Sequence, residues 1–101
     1  MWVLAMFDLP VDDKAARKRY TRFRKLLLRE GFSRMQFSVY AKFCRSEEAS
    51  AAYQRRVEEA VPTKGEVRLM AVTDHQYSRM TIIRGKTRAN AEDAPPQLLL
   101  F

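Results

Sequence analysis

The first eight residues carry the clearest hydrophobic pattern in the chain. Residues 2–7 (WVLAMF) are all apolar, and the run ends at one carboxylate, Asp8, followed by the turn pair Leu9–Pro10. A short apolar run that stops at a turn predicts a buried strand. A carboxylate at the end of such a strand stands on a rigid support at the edge of the core, where solvent and ligands can reach it.

The next segment predicts an amphipathic helix from about Lys14 to Glu30. Asp12 or Asp13 can cap its first turn, and Gly31 suits the position after its last turn. One side of the helix is apolar and consists of Ala16, Tyr20, Phe23 and Leu27. The other side is cationic and consists of Lys14, Lys18, Arg22, Lys25 and Arg29, flanked by Arg17, Arg24 and, toward the opposite edge, Arg19. The sequence therefore sets the carboxylate of Asp8 beside a basic helix.

Between Phe32 and Cys44 the hydrophobic period changes to two, which predicts β-structure with one buried face. No Gly or Pro marks a hairpin within this stretch. It is either one long strand or two short strands with a bulge or tight bend near residues 36–38.

The rest of the chain alternates between a second helix and further strands. Ser46 can cap the helix, and Pro62 and Gly65 close it. The pattern then predicts a strand at residues 66–72, a polar connection at 73–79 and a short strand at 80–83. Asp74 and His75 lie in that connection, and a solvated loop accounts for them better than an acid–base pair.

This order of elements predicts an α+β fold, a ferredoxin-like sandwich with an antiparallel sheet and two helices on one face. The expected domain covers residues 1–84, and residues 85–101 are expected to form a flexible linker and an apolar tail. The tail residues Leu98, Leu99, Leu100 and Phe101 follow Pro95–Pro96, which favours an extended approach. An extended apolar segment is suited to docking on the open edge of a partner's sheet.

The charge balance favours a polyanionic partner. The 101 residues include 19 Lys and Arg against 12 Asp and Glu, giving a net charge of +7. Nucleic acid is the first expectation and an anionic membrane surface the second. No helix-turn-helix, zinc-finger or aromatic RNA-binding pattern is present, so binding is expected through phosphates without sequence specificity.

Cysteine and hydropathy bear on the compartment. Cys44 is the only cysteine, so no disulfide can form within the chain, as is usual in a reducing compartment. The apolar run at the start is too short for a signal peptide or a membrane span. We expect a cytoplasmic protein without a membrane partner.

Three features together resemble a known family. They are the apolar strand that ends at Asp8, the segment Gln36-Phe37-Ser38-Val39-Tyr40 preceded by the basic Arg34, and the α+β order within about a hundred residues. Over essentially its whole length the chain resembles the small CRISPR-associated adaptation proteins, the Cas-two family. The resemblance implies a homodimer that bridges dimers of the Cas-one integrase and holds the incoming duplex DNA during spacer acquisition.

The resemblance also implies roles for individual residues. Family members are described as divalent-metal-dependent nucleases, and Asp8 matches their acid, which faces its copy across the dimer axis. Arg17, Arg19, Arg34 and Tyr40 match positions linked to nuclease activity or nucleic-acid contact. Phe7 departs from the pattern, because many relatives have a tyrosine before the acid.

Two functions therefore compete. The first is a non-catalytic scaffold that binds duplex DNA through Lys14, Arg17, Lys18, Arg19, Arg22, Lys25 and Arg34. The second is an endonuclease for RNA or DNA in which Asp8 is the catalytic residue and a ligand of Mg²⁺, which requires a homodimer because one protomer supplies too few oxygen ligands. Asp8 can also be a structural acid that accepts backbone N–H groups. The apolar tail is expected to dock on the integrase, with the dimer mate as the alternative.

Overall fold

The computed structural model describes residues 1–93 and has the predicted α+β architecture. The apolar run at the start forms the first strand, and each long helix follows a polar capping residue. The elements are β1 (Trp2–Asp8), α1 (Lys14–Arg29), β2 (Ser33–Gln36), β3 (Val39–Phe43), α2 (Glu47–Glu59), β4 (Glu66–Val72), α3 (Asp74–Ser78), β5 (Ile82–Arg84) and β6 (Thr87–Ala89).

The main sheet has the strand order β2-β3-β1-β4, and every neighbouring pair is antiparallel. This is the ferredoxin-like arrangement, with the most apolar strand, β1, in the interior of the sheet. The stretch after α1 forms two strands, and their register shifts between Arg34 and Gln36. Of the two alternatives left open by the sequence, the pair of short strands is therefore the observed one.

Side-chain caps define where the two long helices begin. Asp13, not Asp12, caps α1, and its Oδ1 accepts a hydrogen bond of 2.7 Å from the backbone N–H of Ala16. Ser46 caps α2 in the same way, accepting from the N–H of Ala49 at 3.0 Å. Gly31 follows α1 with a positive φ of 92°, which a glycine adopts without steric cost.

The larger core lies between the sheet and the two long helices, which pack on one face as predicted. Because side chains alternate along a strand, Val3, Ala5 and Phe7 of β1 all point to this face. They meet buried side chains of both helices, Phe23 and Leu27 of α1 and Val57 of α2. Cys44 is buried here, and burial raises the pKa of its thiol.

A second, smaller core lies on the opposite face of the sheet, which we call the open face. Trp2 and Leu4 of β1 point to this face and pack with Phe43 and Tyr77. The rings of Trp2 and Tyr77 are stacked, with centroids 4.0 Å apart and planes 5° apart. The Tyr77 hydroxyl donates a hydrogen bond of 2.5 Å to Oε2 of Glu92.

The segment that covers the open face differs from the prediction. Residues 73–79 were expected to be a polar connection, but Thr73 and Gln76 form a reciprocal capping box that begins the short helix α3. Residues 85–92 were expected to be flexible, whereas β6 pairs with β5 in a hairpin that turns at Gly85. The predicted strand at 80–83 is observed as β5, shifted to residues 82–84.

Two further expectations concern the ends of the chain and membranes. The tail residues Leu98, Leu99, Leu100 and Phe101 lie outside the described residues. Within residues 1–93, no helix has the length and apolar character needed to cross a membrane.

Candidate nucleic-acid interface

The outward side of α1 is a continuous cationic surface. Phe23 and Leu27 anchor the helix on the sheet, and the basic residues on the opposite side face solvent, as the helical period predicts. We call these residues the α1 basic face; its exposed members are Lys14, Arg17, Lys18, Arg22, Lys25 and Arg29. Within residues 1–93 no acidic side chain forms an ion pair with any of them. The charge of this face is therefore available to an anionic ligand.

The ends of the α1 basic face are fixed by different contacts. At the first turn, Nη1 of Arg17 donates a hydrogen bond of 3.3 Å to the carbonyl oxygen of Val11, in the loop that follows β1. At the other end, the carboxylate of Glu30 accepts from Nε of Arg56 on α2 at 2.5 Å. Glu30 is thus turned toward α2 and leaves the cations of α1 without a neutralising partner. Arg19 lies at the edge of the face and is half-buried.

Asp8 lies at the end of β1 and is exposed. The alternation of side chains places Asp8 on the open face, together with Trp2, Leu4 and Met6. Its antiparallel partner on β4 is Glu66, so two carboxylates stand side by side at this end of the sheet. Glu66 in turn accepts a hydrogen bond of 2.5 Å from Nε of Arg68. Within residues 1–93, no group of three or more His, Cys, Asp or Glu side chains could hold a metal ion.

Gly65 determines how close β4 comes to Asp8. Its φ is +94°, and a Cβ atom at this position would lie 2.8 Å from the carbonyl oxygen of Asp8 and 2.8 Å from Cδ2 of Leu9. Only a glycine lets the connection from α2 pass this near to the end of β1. The consequence is that β4 begins with Glu66 directly opposite Asp8.

The structure separates the acid from the basic helix. α1 packs on one face of the sheet and presents its basic face away from it, whereas Asp8 projects on the open face. The sequence sets the two next to each other along the chain, but in space they lie on opposite sides of the sheet. Binding of phosphates by α1 and chemistry at Asp8 are therefore separable within one protomer.

Two residues that the resemblance singled out are part of the core. Tyr40 is 1% exposed and Phe7 is 6% exposed, and their rings pack with centroids 5.6 Å apart. Because Phe7 and Asp8 alternate on β1, the ring of Phe7 points to the helices and not to the acid. The departure at Phe7 therefore alters the core, and the open face around Asp8 is formed by other residues. Arg34 is exposed on β2, opposite Tyr40.

Glu66 is a neighbour of Asp8 that sequence reasoning missed, and the turn at residues 37–38 is a second feature of this end of the sheet. The backbone N–H of Phe7 donates to the carbonyl oxygen of Ser38 at 3.1 Å, which ties this part of β1 to the turn between β2 and β3. Phe37 is 74% exposed although it is aromatic. The alternating pattern predicts Phe37 as a strand residue, whereas the structure has it in the turn. The pattern does not reveal the pairing register either, so Glu66 as the neighbour of Asp8 does not follow from sequence.

Asp74 and His75 take no part in this region. Asp74 lies in the first turn of α3, and its Oδ1 accepts a bond of 2.6 Å from the amino group of Met1. Met1 and Asp8 are at opposite ends of β1, about 20 Å apart for a strand of this length. Asp74 is exposed to solvent, as expected, but it begins the short helix α3 and does not lie in a loop.

Comparison with known proteins agrees with this architecture. The sequence model of the family described as "CRISPR associated protein Cas2" matches residues 1–80. The chain belongs to this family. A relative in Parvibaculum lavamentivorans, named "CRISPR-associated endoribonuclease Cas2", is 48% identical over 101 residues, which is the whole of both chains.

Other relatives extend the comparison. A protein of Rhodospirillum rubrum named "CRISPR-associated endoribonuclease Cas2 2" is 49% identical over 105 residues, covering all of this chain and 94% of the relative. The crystal structure of Streptococcus pyogenes Cas2 superposes with a TM-score of 0.63 and 20% identity, covering 83% of this chain and 100% of that one. That similarity shows the fold, and the sequence relatives show the family.

Proposed function

We propose that the chain is the nucleic-acid-binding subunit of a CRISPR adaptation complex. In this role a homodimer holds the incoming duplex DNA through its phosphates and bridges dimers of the Cas-one integrase. The observation that carries the proposal is the α1 basic face, whose exposed Lys and Arg side chains have no acidic partner within residues 1–93. Such a face suits the regularly spaced charges of a duplex backbone.

The physical argument for this function is electrostatic. Each phosphate that a Lys or Arg side chain neutralises releases condensed counterions, and the affinity then depends steeply on salt. Residues on the exposed side of one helix reach the backbone but form no pattern that reads base edges. Contact of about six phosphates would give a slope of log K against log salt of roughly −5.

The test is a double substitution on the α1 basic face. Lys18→Ala with Arg22→Ala should weaken binding to all duplex sequences by similar factors. The slope of log K against log salt should become less steep by roughly 2, because two phosphate contacts are lost. Arg55→Ala with Arg79→Ala, which removes the same charge from exposed positions elsewhere, should have a much smaller effect. Fluorescence anisotropy over a range of salt measures both, and salt-independent affinity or a marked base preference would contradict the proposal.

The bridging part of the proposal needs the partner itself. Co-purification with the Cas-one integrase, with and without a short duplex, should recover a complex of both proteins. Removal of residues 97–101 should reduce that association if the apolar tail docks on the integrase. The mass of the protein without integrase, measured by light scattering, should then be unchanged. A complex that forms equally well without the tail would assign integrase docking to another surface.

A nuclease is the second candidate, and the exposure of Asp8 favours it. The carboxylate stands at the rigid end of β1 on the open face, and the relatives described above are named endoribonucleases. Two copies of Asp8, brought together across a dimer axis, would supply two hard oxygen ligands. Magnesium is commonly held by one or two carboxylates, with water and substrate phosphate completing the shell.

The described residues supply enough ligands for a metal only in the dimer. Asp8 would hold it, while Glu66 is engaged by Arg68. When bound, the ion would polarise a phosphoryl oxygen of the nucleic acid. The protein's own contribution is the rigid placement of the carboxylate at the end of β1.

Asp8→Asn tests the second candidate. The variant should lose Mg²⁺-dependent cleavage of RNA or DNA, and its duplex affinity should stay within about twofold of the wild type, because Asp8 and the α1 basic face lie on opposite sides of the sheet. Asp12→Asn changes an exposed acid nearby and should retain cleavage. Cleavage that survives Asp8→Asn in protein purified free of contaminating nucleases would exclude Asp8 as the metal ligand.

A further inference from the structure

A groove runs along α1 beside the connection that follows α2. Its volume is about 430 Å³, and its apolar floor includes Phe23, Leu26, Val61 and Pro62. Three arginines line it as well, Arg19, Arg22 and Arg29. A volume of this size lies in the range of about 300–1,000 Å³ that is typical of small-ligand pockets. We call this feature the α1–α2 groove.

The α1–α2 groove adjoins the α1 basic face. A second, shallower concavity of about 280 Å³ lies on the other side of Arg22 and Arg29 and is lined by Lys18, Thr21 and Lys25 as well. The two arginines therefore separate a polar, cationic track from an apolar groove. A ligand that spans both must carry negative charge next to a flat or apolar group.

We propose that the α1–α2 groove receives an unpaired nucleotide of a nucleic acid whose backbone lies on the α1 basic face. A nucleotide has the required chemistry, because its phosphate and its base are adjacent and of opposite polarity. Guanidinium groups bind phosphate oxygens in pairs and also stack on the flat faces of bases. A base inside a duplex is paired and stacked, so only a single-stranded overhang or an extruded base can enter.

This inference rests on the proposed function, since the groove receives the base only if the backbone binds α1. It adds a preference that phosphate contacts alone do not give. Phosphate contacts alone give the same affinity for an overhang with bases and an abasic overhang of equal charge. A groove that buries a base binds the overhang with bases more tightly. Stacking and burial of one base typically change affinity by about tenfold.

The experiment compares three duplexes of equal paired length by fluorescence anisotropy with the full chain. One is blunt, one carries a three-nucleotide overhang, and one carries the same overhang with abasic sugars and therefore the same charge. The overhang with bases should bind about tenfold more tightly than the abasic overhang. Equal affinities would overturn the inference, as expected if the groove receives an acidic, apolar peptide instead.

A matched pair of variants locates the effect. Leu26→Gln places a polar group of similar size on the floor of the groove and should abolish the advantage of the bases. Leu28→Gln changes another leucine of α1, one that is 48% exposed and does not line the groove, and should retain that advantage. An advantage that persists in Leu26→Gln would also overturn the inference.

The same data separate this inference from the function on which it rests. Salt-dependent binding of the blunt duplex without a base effect would contradict the groove alone. Absence of salt-dependent binding to all three duplexes would contradict both. The comparison of the overhangs in the wild-type chain needs no variant, so it remains decisive if Leu26→Gln fails to fold.

Discussion

At the scale of single residues, Tyr77 shows how one side chain fixes a segment to the sheet. Its ring is 2% exposed and stacks on Trp2, and its hydroxyl donates to the carboxylate of Glu92. Burial, and then the hydrogen bond and negative charge of Glu92, raise the pKa of this phenol. The protonated form is thus the one that the folded chain stabilises.

The raised pKa of Tyr77 predicts a loss of stability at high pH. A tyrosine in an unfolded chain ionises near pH 10, so the contribution of Tyr77 is complete below that pH and falls as the pH rises above it. Tyr77→Phe has no phenol to ionise and should lose less stability between about pH 9 and pH 11. Urea unfolding at several pH values measures the difference, and identical pH profiles for the two proteins would contradict it.

Gly65 is the residue that determines the approach of β4 to Asp8. Gly65→Ala should lower the free energy of unfolding by about 2–4 kcal/mol, because it combines a left-handed backbone with a contact closer than van der Waals distance. Gly85→Ala is the matched control: its φ is also positive, +64°, but nothing lies within 4 Å of the added Cβ. It should cost only about 1 kcal/mol. Equal urea midpoints for the two variants would show that the close contact relaxes freely.

At the scale of elements, the sequence predicts those that are both long and periodic. α1, α2 and β1 follow directly from their apolar spacing and their caps, and so do the residues of the α1 basic face. α3 was missed because five residues with one buried side chain, Tyr77, give no period to detect. The Glu66 neighbour of Asp8 was missed for another reason, since strand register arises from tertiary packing. The acid and its helix follow from the sequence, whereas their placement on opposite sides of the sheet arises from how the elements pack.

The N-terminal cap of α1 leads to a direct prediction about this element. Asp13→Ala should destabilise the chain by about 1 kcal/mol, because it leaves the N–H of Ala16 without its partner at the start of the helix. Asp12→Ala removes the same charge one residue earlier and should cost less than about 0.5 kcal/mol. Thermal or urea unfolding followed by circular dichroism distinguishes the two variants. A larger loss of stability for Asp12→Ala would show that Asp12, and not Asp13, caps α1.

At the scale of the whole molecule, the two faces of the sheet differ in character. The two long helices pack on one face, and the outward side of α1 is cationic. The open face is covered only in part, and Met70 on β4 is 47% exposed there, opposite Leu4. We propose that the homodimer forms on this open face, because Met70 would otherwise leave apolar surface in contact with water. In a dimer built on this face, the two open faces would meet, and the two copies of Asp8 would lie on the surfaces that face each other.

The proposed dimer predicts the outcome of a substitution on that face. Met70→Asp should shift the chain toward its monomer mass of 11.8 kDa in light scattering, because a charge buried at an apolar interface is strongly unfavourable. Leu28→Asp, at a position on α1 with a similar exposure of 48%, should leave the mass unchanged. A monomer mass for the wild-type chain at micromolar concentration would remove the basis of the proposal.

The stack of Trp2 on Tyr77 allows the state of the open face to be followed by tryptophan fluorescence. Trp2 is the only tryptophan in the chain, so all indole fluorescence comes from this one position. The ring is 8% exposed and touches α3, whereas the larger core lies on the other side of β1. A shift of the indole emission to longer wavelength therefore reports that α3 has left the sheet, even while far-ultraviolet dichroism still records intact long helices. One intrinsic chromophore thus separates opening of this face from unfolding of the whole chain.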